Sequence, residues 1–276
     1  MIDLKKESGL PIGLEDSLLI LGNGVLAEET SARTLEELRP LLADPRADFR
    51  KAEIYHMYRT AGFSKDIDAF RKNHLRYDIT VLEKGRVGDE FVKTVGHYHP
   101  FKAGTQTRYP EIYEVIHGHA LFVMQKIGNS VKSVDAVYLV LAEAGEKAVM
   151  LPGTGHVTVN LGNTPLVMAN FVSDDFTSVY EPYRERRGAV YYILSRNDGI
   201  HILQNGAYDP IPRPRVLKPR EVFLGLSLGG PLYAAASEDL ERFRWLNFPE
   251  EHEGELNVES LFCNAQLSLQ RRGISV

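Results

Sequence analysis

Short apolar runs separated by turn residues dominate this chain. EIYHMYRT from Glu53, RYDITVLEKG and FVKTVGHYH read as strands, with a hairpin turn over Gly85 to Asp89 between the last two. Beyond Gly118 the same signal recurs in ALFVMQKI, VDAVYLVLA, AVMLP, TVNLG and LVMANFV. Turns at Gly128-Asn129, Glu143 to Glu146, Gly153 to Gly155 and Gly162 to Pro165 divide them. AVYYILSR and IHILQNG form one more hairpin around Asn197-Asp198-Gly199, where the Asp-Gly pair suits a tight turn. Many short strands with few intervening helices predict a mainly β fold, a sandwich or barrel of the jelly-roll kind.

Helical signals are brief. Leu18 to Leu21 is a short strand candidate before the turn Gly22-Asn23-Gly24. Thr34 and Glu37 then have capping-box spacing ahead of Leu35, Leu38, Leu41 and Leu42. Pro40 restricts that segment to one or two short turns. Residues 66 to 73 predict a helix between the first two strands, and Ser237 is a candidate cap for a helix carrying Leu240, Phe243 and Trp245 or Leu246, ended by Pro249. Pro210, Pro212, Pro214 and Pro219 mark an edge. The expected organisation is an N-terminal strand and helix segment over 1–50, a barrel over 51–210 and a small C-terminal extension over 211–276, packing on the barrel or on a second subunit.

With 276 residues, 43% of them hydrophobic and 25% charged, the chain can bury a large core. A formal charge of −5 and no clustered Lys/Arg stripe argue against nucleic acid as a partner. One cysteine, Cys263, excludes an intrachain disulfide and fits a reducing compartment. Glu7, Pro11, Glu15 and Asp16 interrupt the N-terminal apolar residues, so no signal peptide or membrane helix is expected, which points to the cytoplasm.

Candidate chemistry concentrates in KTVGHYHPFKAGTQTRYPEIYEVIHG. His97 and His99, one residue apart, share a face of an extended strand. Glu111 opens a run in which Glu111, Tyr113 and Val115 alternate with Ile112, Glu114 and Ile116. His156 follows the turn of LPGTGHVTVN. Three imidazoles and a carboxylate make a mixed nitrogen and oxygen set suited to a divalent Fe, Mn, Ni, Co or Zn ion. His117-Gly118-His119 has the same spacing as His97 and His99, but a turn at Gly118 makes both histidines expected surface residues. His56, His74, His201 and His252 are isolated. Thr80, Thr94 and the backbone N–H of Gly96 are suitable donors to a phosphate.

Glu111, six residues and Gly118, together with Gly145, Pro152, His156 and Asn160, resemble the two motifs of the cupin superfamily. TVGHYHP followed by PEIYEV is similar to the cupin-type glucose-6-phosphate isomerases of archaea and some bacteria, and the likeness spans roughly residues 50 to 210. The resemblance implies a cupin barrel holding one divalent metal per subunit, iron foremost, on His97, His99, Glu111 and His156. It also implies a pocket for a sugar phosphate lined by Tyr55, Thr80, Thr94, Gly96 and Tyr180. Eleven residues separate His99 from Glu111, more than the general cupin spacing, which leaves Glu114 as an alternative ligand, although the Glu-to-Gly spacing and strand parity favour Glu111. Where shorter archaeal relatives carry a histidine, this chain has Ser178.

The implied reaction interconverts glucose 6-phosphate and fructose 6-phosphate. Glu111 is the candidate base, with a hydride shift as the other route, and Tyr113 is the candidate donor to a sugar hydroxyl. A homodimer is expected by family. Alternative readings are an isomerase or epimerase of another sugar phosphate, a cupin dioxygenase and a noncatalytic sugar-binding cupin. The last would use the tail as its output, where no helix-turn-helix pattern occurs.

Overall fold

The computed structural model describes residues 1–130, 132–196, 199–224, 226–227, 230–265 and 274–275. Two antiparallel-rich sheets face one another as a jelly roll. One has six strands in the order Lys147–Met150, Glu111–His117, Leu166–Ser173, Leu75–Leu82, Glu53–Phe63 and Val25–Thr34, with every neighbouring pair antiparallel. The facing sheet runs Thr154–Asn160, His119–Ile127, Val134–Glu143, Arg215–Pro219 and Phe262–Asn264. Between Glu111 and Ser173 the chain crosses from one sheet to the other at four corners, after His117, Glu143, Met150 and Asn160. At the first corner Gly118 has φ 94°, a left-handed backbone where a Cβ would also meet the Pro165 carbonyl at 3.1 Å.

The inner faces bury Val115, Phe122, Val140 and Met168 at no more than 1% exposure, while Ile112, Val149 and Phe171 alternate onto the back of the larger sheet. The helix Ser64–Lys72 lays Ile67 and Phe70 on the back of the larger sheet, with the Phe70 ring edge-on to Phe171 at 5.0 Å. Thr34 and Glu37 close the expected capping box on the short helix Leu35–Leu38, and Pro40 lies in the 3-10 turn Arg39–Leu41 that follows.

Three local expectations need correction. FVKTVGHYH is not a continuous strand: Glu90–Phe91 is paired, but residues beyond it are held by isolated bridges, Lys93 to Val159, His97 to His156 and Tyr98 to Val179. The reason is Gly96, whose φ of 82° breaks the pleat between Val95 and His97. The hairpin expected between the second and third strands instead lies within 86–91, where Arg86–Val87 pairs with Glu90–Phe91. Ser237 is not an N-cap. It sits in the last turn of the helix Leu232–Glu238, and Asp239 caps the 3-10 segment Leu240–Leu246 by accepting from the Glu241 N–H. Of the expected turn at 197–199, Asn197 and Asp198 lie outside the described residues, while Arg196 and Gly199 pair as the ends of a hairpin.

Residues after 210 are woven into this body. Arg215–Pro219 joins Val134–Glu143 in parallel, and Phe262–Asn264 pairs with it in turn. The Leu232 N–H donates to the buried carboxylate of Glu114 at 2.9 Å, whose other oxygen meets Lys147 at 2.9 Å. The loop between His99 and Glu111 is clasped by the same tail. Lys102 pairs with Glu250 and lies 4.2 Å from the centre of the Phe248 ring, and the Thr107 hydroxyl donates to Glu253 at 2.7 Å. Among the described residues, no helix is long and apolar enough to cross a membrane.

Candidate metal centre and substrate cavity

His97, His99, Glu111 and His156 converge inside the barrel, each offering a ligand atom within 4.8 Å of the others. Paired backbone hydrogen bonds, His97 N–H to His156 C=O at 3.2 Å and the reverse at 3.0 Å, fix two of them side by side. Glu111 comes from the opposite sheet. Its Oε2 lies 3.4 Å from His99 Nε2 and 3.2 Å from His156 Nε2, and the Nε2 atoms of His97 and His99 are 3.2 Å apart. Ligands at about 2.1 Å from a common ion stand roughly 3.0 to 3.4 Å apart in octahedral or tetrahedral arrangements, so these spacings match a shared cation. Glu114 points to the other face, toward Lys147.

The donor set is prepared for that role. His99 Nδ1 lies 3.0 Å from the Tyr109 carbonyl, which accepts its N–H and leaves the Nε2 lone pair facing the cluster. Burial, then the neighbouring His156 and His99, holds the His97 pKa well below the ordinary imidazole value. Burial also lowers that of His156 against the pull of Glu111. Both rings are thus neutral, as ligation demands. Burial alone would raise Glu111, but the close approach of His156 and His99 prevails and holds its carboxyl well below the usual range. Glu111 Oε2 is sealed from solvent with no hydrogen-bond partner, a carboxylate oxygen whose natural partner is a cation.

The cluster forms the floor of a cavity of about 580 Å³, its mouth included. Tyr55, Thr80, Thr94, Gly96 and Tyr180 all line it, as do Tyr113 and Ser178. The Tyr113 hydroxyl is 3.5 Å from His156 Nε2, and burial followed by the charge of Glu111 pushes its pKa well above the usual phenol value, so it remains a donor. Thr94 Oγ1 accepts the Thr158 N–H at 3.0 Å, which keeps its own hydroxyl proton free. The Tyr180 ring lies 5.5 Å from that of His97. At Gly96 a Cβ would meet Val157 Cγ2 at 2.4 Å, so only glycine lets the backbone pass here. Of the control pair, His119 is exposed as expected. His117 is partly buried rather than superficial, its Nε2 sealed without a partner, and it lies outside the metal group.

Three polar lining residues escaped the sequence reading: Arg59, Arg76 and Asn170. Strand parity could have found the two arginines, since Arg59 lies four residues after Tyr55 and Arg76 four before Thr80, on the same faces. Asn170 interrupts the apolar run LVMANFV, the usual mark of an inward polar position.

A jelly roll carrying three inward imidazoles and a carboxylate on facing sheets is a metal-site cupin. The family model described as glucose-6-phosphate isomerase (GPI) matches residues 32–212, two thirds of the chain, and the protein belongs to that isomerase family. The glucose-6-phosphate isomerase of Thermococcus onnurineus is 26% identical over 71% of this chain and 95% of its own length. That of Pyrococcus furiosus is 24% identical over 63% and 86%. Among solved structures, an oxalate oxidase is 19% identical and covers 49% of this chain and 59% of its own, with a TM-score of 0.34.

Proposed function

We propose that this cavity interconverts glucose 6-phosphate and fructose 6-phosphate, with one divalent metal, iron, held by His97, His99, Glu111 and His156. The observation that carries the reading is the convergence of these four side chains at the end of a cavity whose other wall presents Thr80, Thr94 and Tyr55. A divalent ion bound there would supply Lewis-acid polarisation of the substrate carbonyl. The remaining work falls to the chain. Hydroxyls of Thr80, Thr94, Tyr55 and Tyr180 and the Gly96 N–H anchor the phosphate, so that binding energy far from the reacting carbons orients C1 and C2. Glu111 moves the proton between C1 and C2, and the Tyr113 hydroxyl donates to a sugar oxygen beside it.

Two measurements test this. A coupled assay on fructose 6-phosphate is run before and after chelation, with single metals restored. Activity that survives complete metal removal would end the proposal. Turnover in deuterium oxide should place deuterium on C2 of glucose 6-phosphate or C1 of fructose 6-phosphate. Complete retention of protium in every product, including at low substrate, would remove Glu111 from the role of base. The enzyme is expected to be cytoplasmic and a homodimer, an assembly that sedimentation measures directly.

A further inference from the structure

Strand register divides the cavity wall into levels. Glu111 pairs with Val172, and Val172 with Arg76, at the metal end. Thr80 pairs with Met168 and Met57 two levels away, toward the hydroxyl-rich end. Same-face residues along a strand are about 7 Å apart, so one level lies between the ends. That level consists of Tyr113, Asn170 and Asp78 in register, with Arg59 next to Asp78 because Tyr58 pairs with Ile79.

Two side chains at this level have bonding capacity to spare. Asn170 is 5% exposed and lines the cavity, yet its amide has no hydrogen-bond partner among the described residues. Its amide atoms are not sealed but open onto the cavity, where they can bond a ligand without first breaking a bond within the protein. Arg59 is anchored on one side: its Nη1 donates to Asp78 at 2.7 Å, and Asp78 is held in turn by Arg76 Nε and the Thr60 N–H. On the other side its Nη2 reaches, among the described residues, only the Met57 sulfur at 3.5 Å, a weak acceptor that a ligand hydroxyl readily replaces.

We propose that Asn170 and Arg59 read the hydroxyls at C3 and C4 of the open-chain sugar and so determine which hexose phosphate the site accepts. A substrate with C1 and C2 at the metal end and its phosphate near Thr80 must place those carbons at this level. Asn170 can donate and accept, and Arg59 only donates, so the pair distinguishes epimers by where an oxygen falls. The inference rests on the sugar-phosphate reading of the cavity.

The test is calorimetric titration of the full-length, metal-loaded protein with three unreactive probes. These are glucitol 6-phosphate, its C4 epimer galactitol 6-phosphate and its C3 epimer allitol 6-phosphate. The wild type should prefer the glucitol compound over at least one epimer by roughly 10-fold, the equivalent of one hydrogen bond. Asn170→Ala breaks no hydrogen bond within the protein and should erase most of that preference with metal content unchanged. Arg59→Gln should weaken binding of the glucitol compound by about 10-fold and of at least one epimer by less, whereas equal weakening of all three would strip Arg59 of its part in the selection. If Asn170→Ala keeps the wild-type preference, or the wild type binds the probes equally, the inference is wrong while the function stands. If the wild type binds none of them, the sugar-phosphate reading falls and the inference with it.

Discussion

Replacing Gly96 by alanine is the sharpest probe of how the backbone carries the metal ligands. Gly96 has φ 82°, where an L-residue is strained by about 1–2 kcal/mol. A Cβ there would stand 2.4 Å from Val157 Cγ2 and 2.9 Å from Tyr183 Cε1. Val157 and Tyr183 are 1% and 0% exposed, so neither can swing into solvent, and such overpacking costs roughly 1–3 kcal/mol. The sum, about 2–5 kcal/mol, is a large part of the roughly 5–15 kcal/mol that holds a typical domain folded. Urea unfolding with linear extrapolation measures it. Val157→Ala removes the nearest obstructing carbon but leaves the backbone angle. The cost of Gly96→Ala should therefore shrink by about 1 kcal/mol or more in that background without vanishing. His97 follows directly, so metal affinity should fall in the single variant and partly recover in the double. A cost below about 1 kcal/mol, or one equal in both backgrounds, would refute the steric account.

Other expectations concern ligands, substrate and pH. His97→Ala, His99→Ala and His156→Ala should each lose most bound metal by elemental analysis, whereas His117→Ala should keep it; full occupancy in the first three would disprove the site. Thr94→Val should raise the Michaelis constant for fructose 6-phosphate about 10-fold and, by releasing the Thr158 N–H, lower stability by about 1 kcal/mol, with metal content intact. An unchanged constant would count against the phosphate role. Burial pushes the Glu114 carboxyl up to about 7 from 4.5 although Lys147 and the Leu232 N–H oppose it. Because the folded value lies above the unfolded one, this contribution to stability is complete below about 4.5 and is lost as pH rises toward 7, on the order of 3 kcal/mol. Glu114→Gln should flatten that slope in denaturation curves from pH 5 to 8. Parallel slopes in variant and wild type would show that Glu114 does not titrate in this range.

Much of the site was legible because its chemistry is local in sequence. Two histidines one residue apart, a carboxylate at the head of an alternating run and a histidine after a Gly-rich turn each announce a direction on a strand. The spacing from Glu111 to Gly118 and strand parity together favoured Glu111 over Glu114, and the structure sends them to opposite faces. What failed depended on partners far along the chain. The extended segment carrying His97 resembles a strand by composition, yet its bonds go to Val159, His156 and Val179, and a glycine breaks its pleat. Arg215–Pro219 finds its partner over 70 residues earlier, and a proline-rich approach hides it. Arg59 and Arg76 were readable by parity but were given no role, because nothing local reveals that Asp78 lies buried between them.

The clasp between the long loop and the tail bears on ancestry. The family model stops at residue 212, while Phe248, Glu250 and Glu253 grip the loop that separates His99 from Glu111. A lineage that shed the tail would leave Lys102 and Thr107 without their anchors, and one that shortened the loop would deprive the tail of a seat. The two lengthenings should therefore be co-inherited across genomes, gained together and lost together.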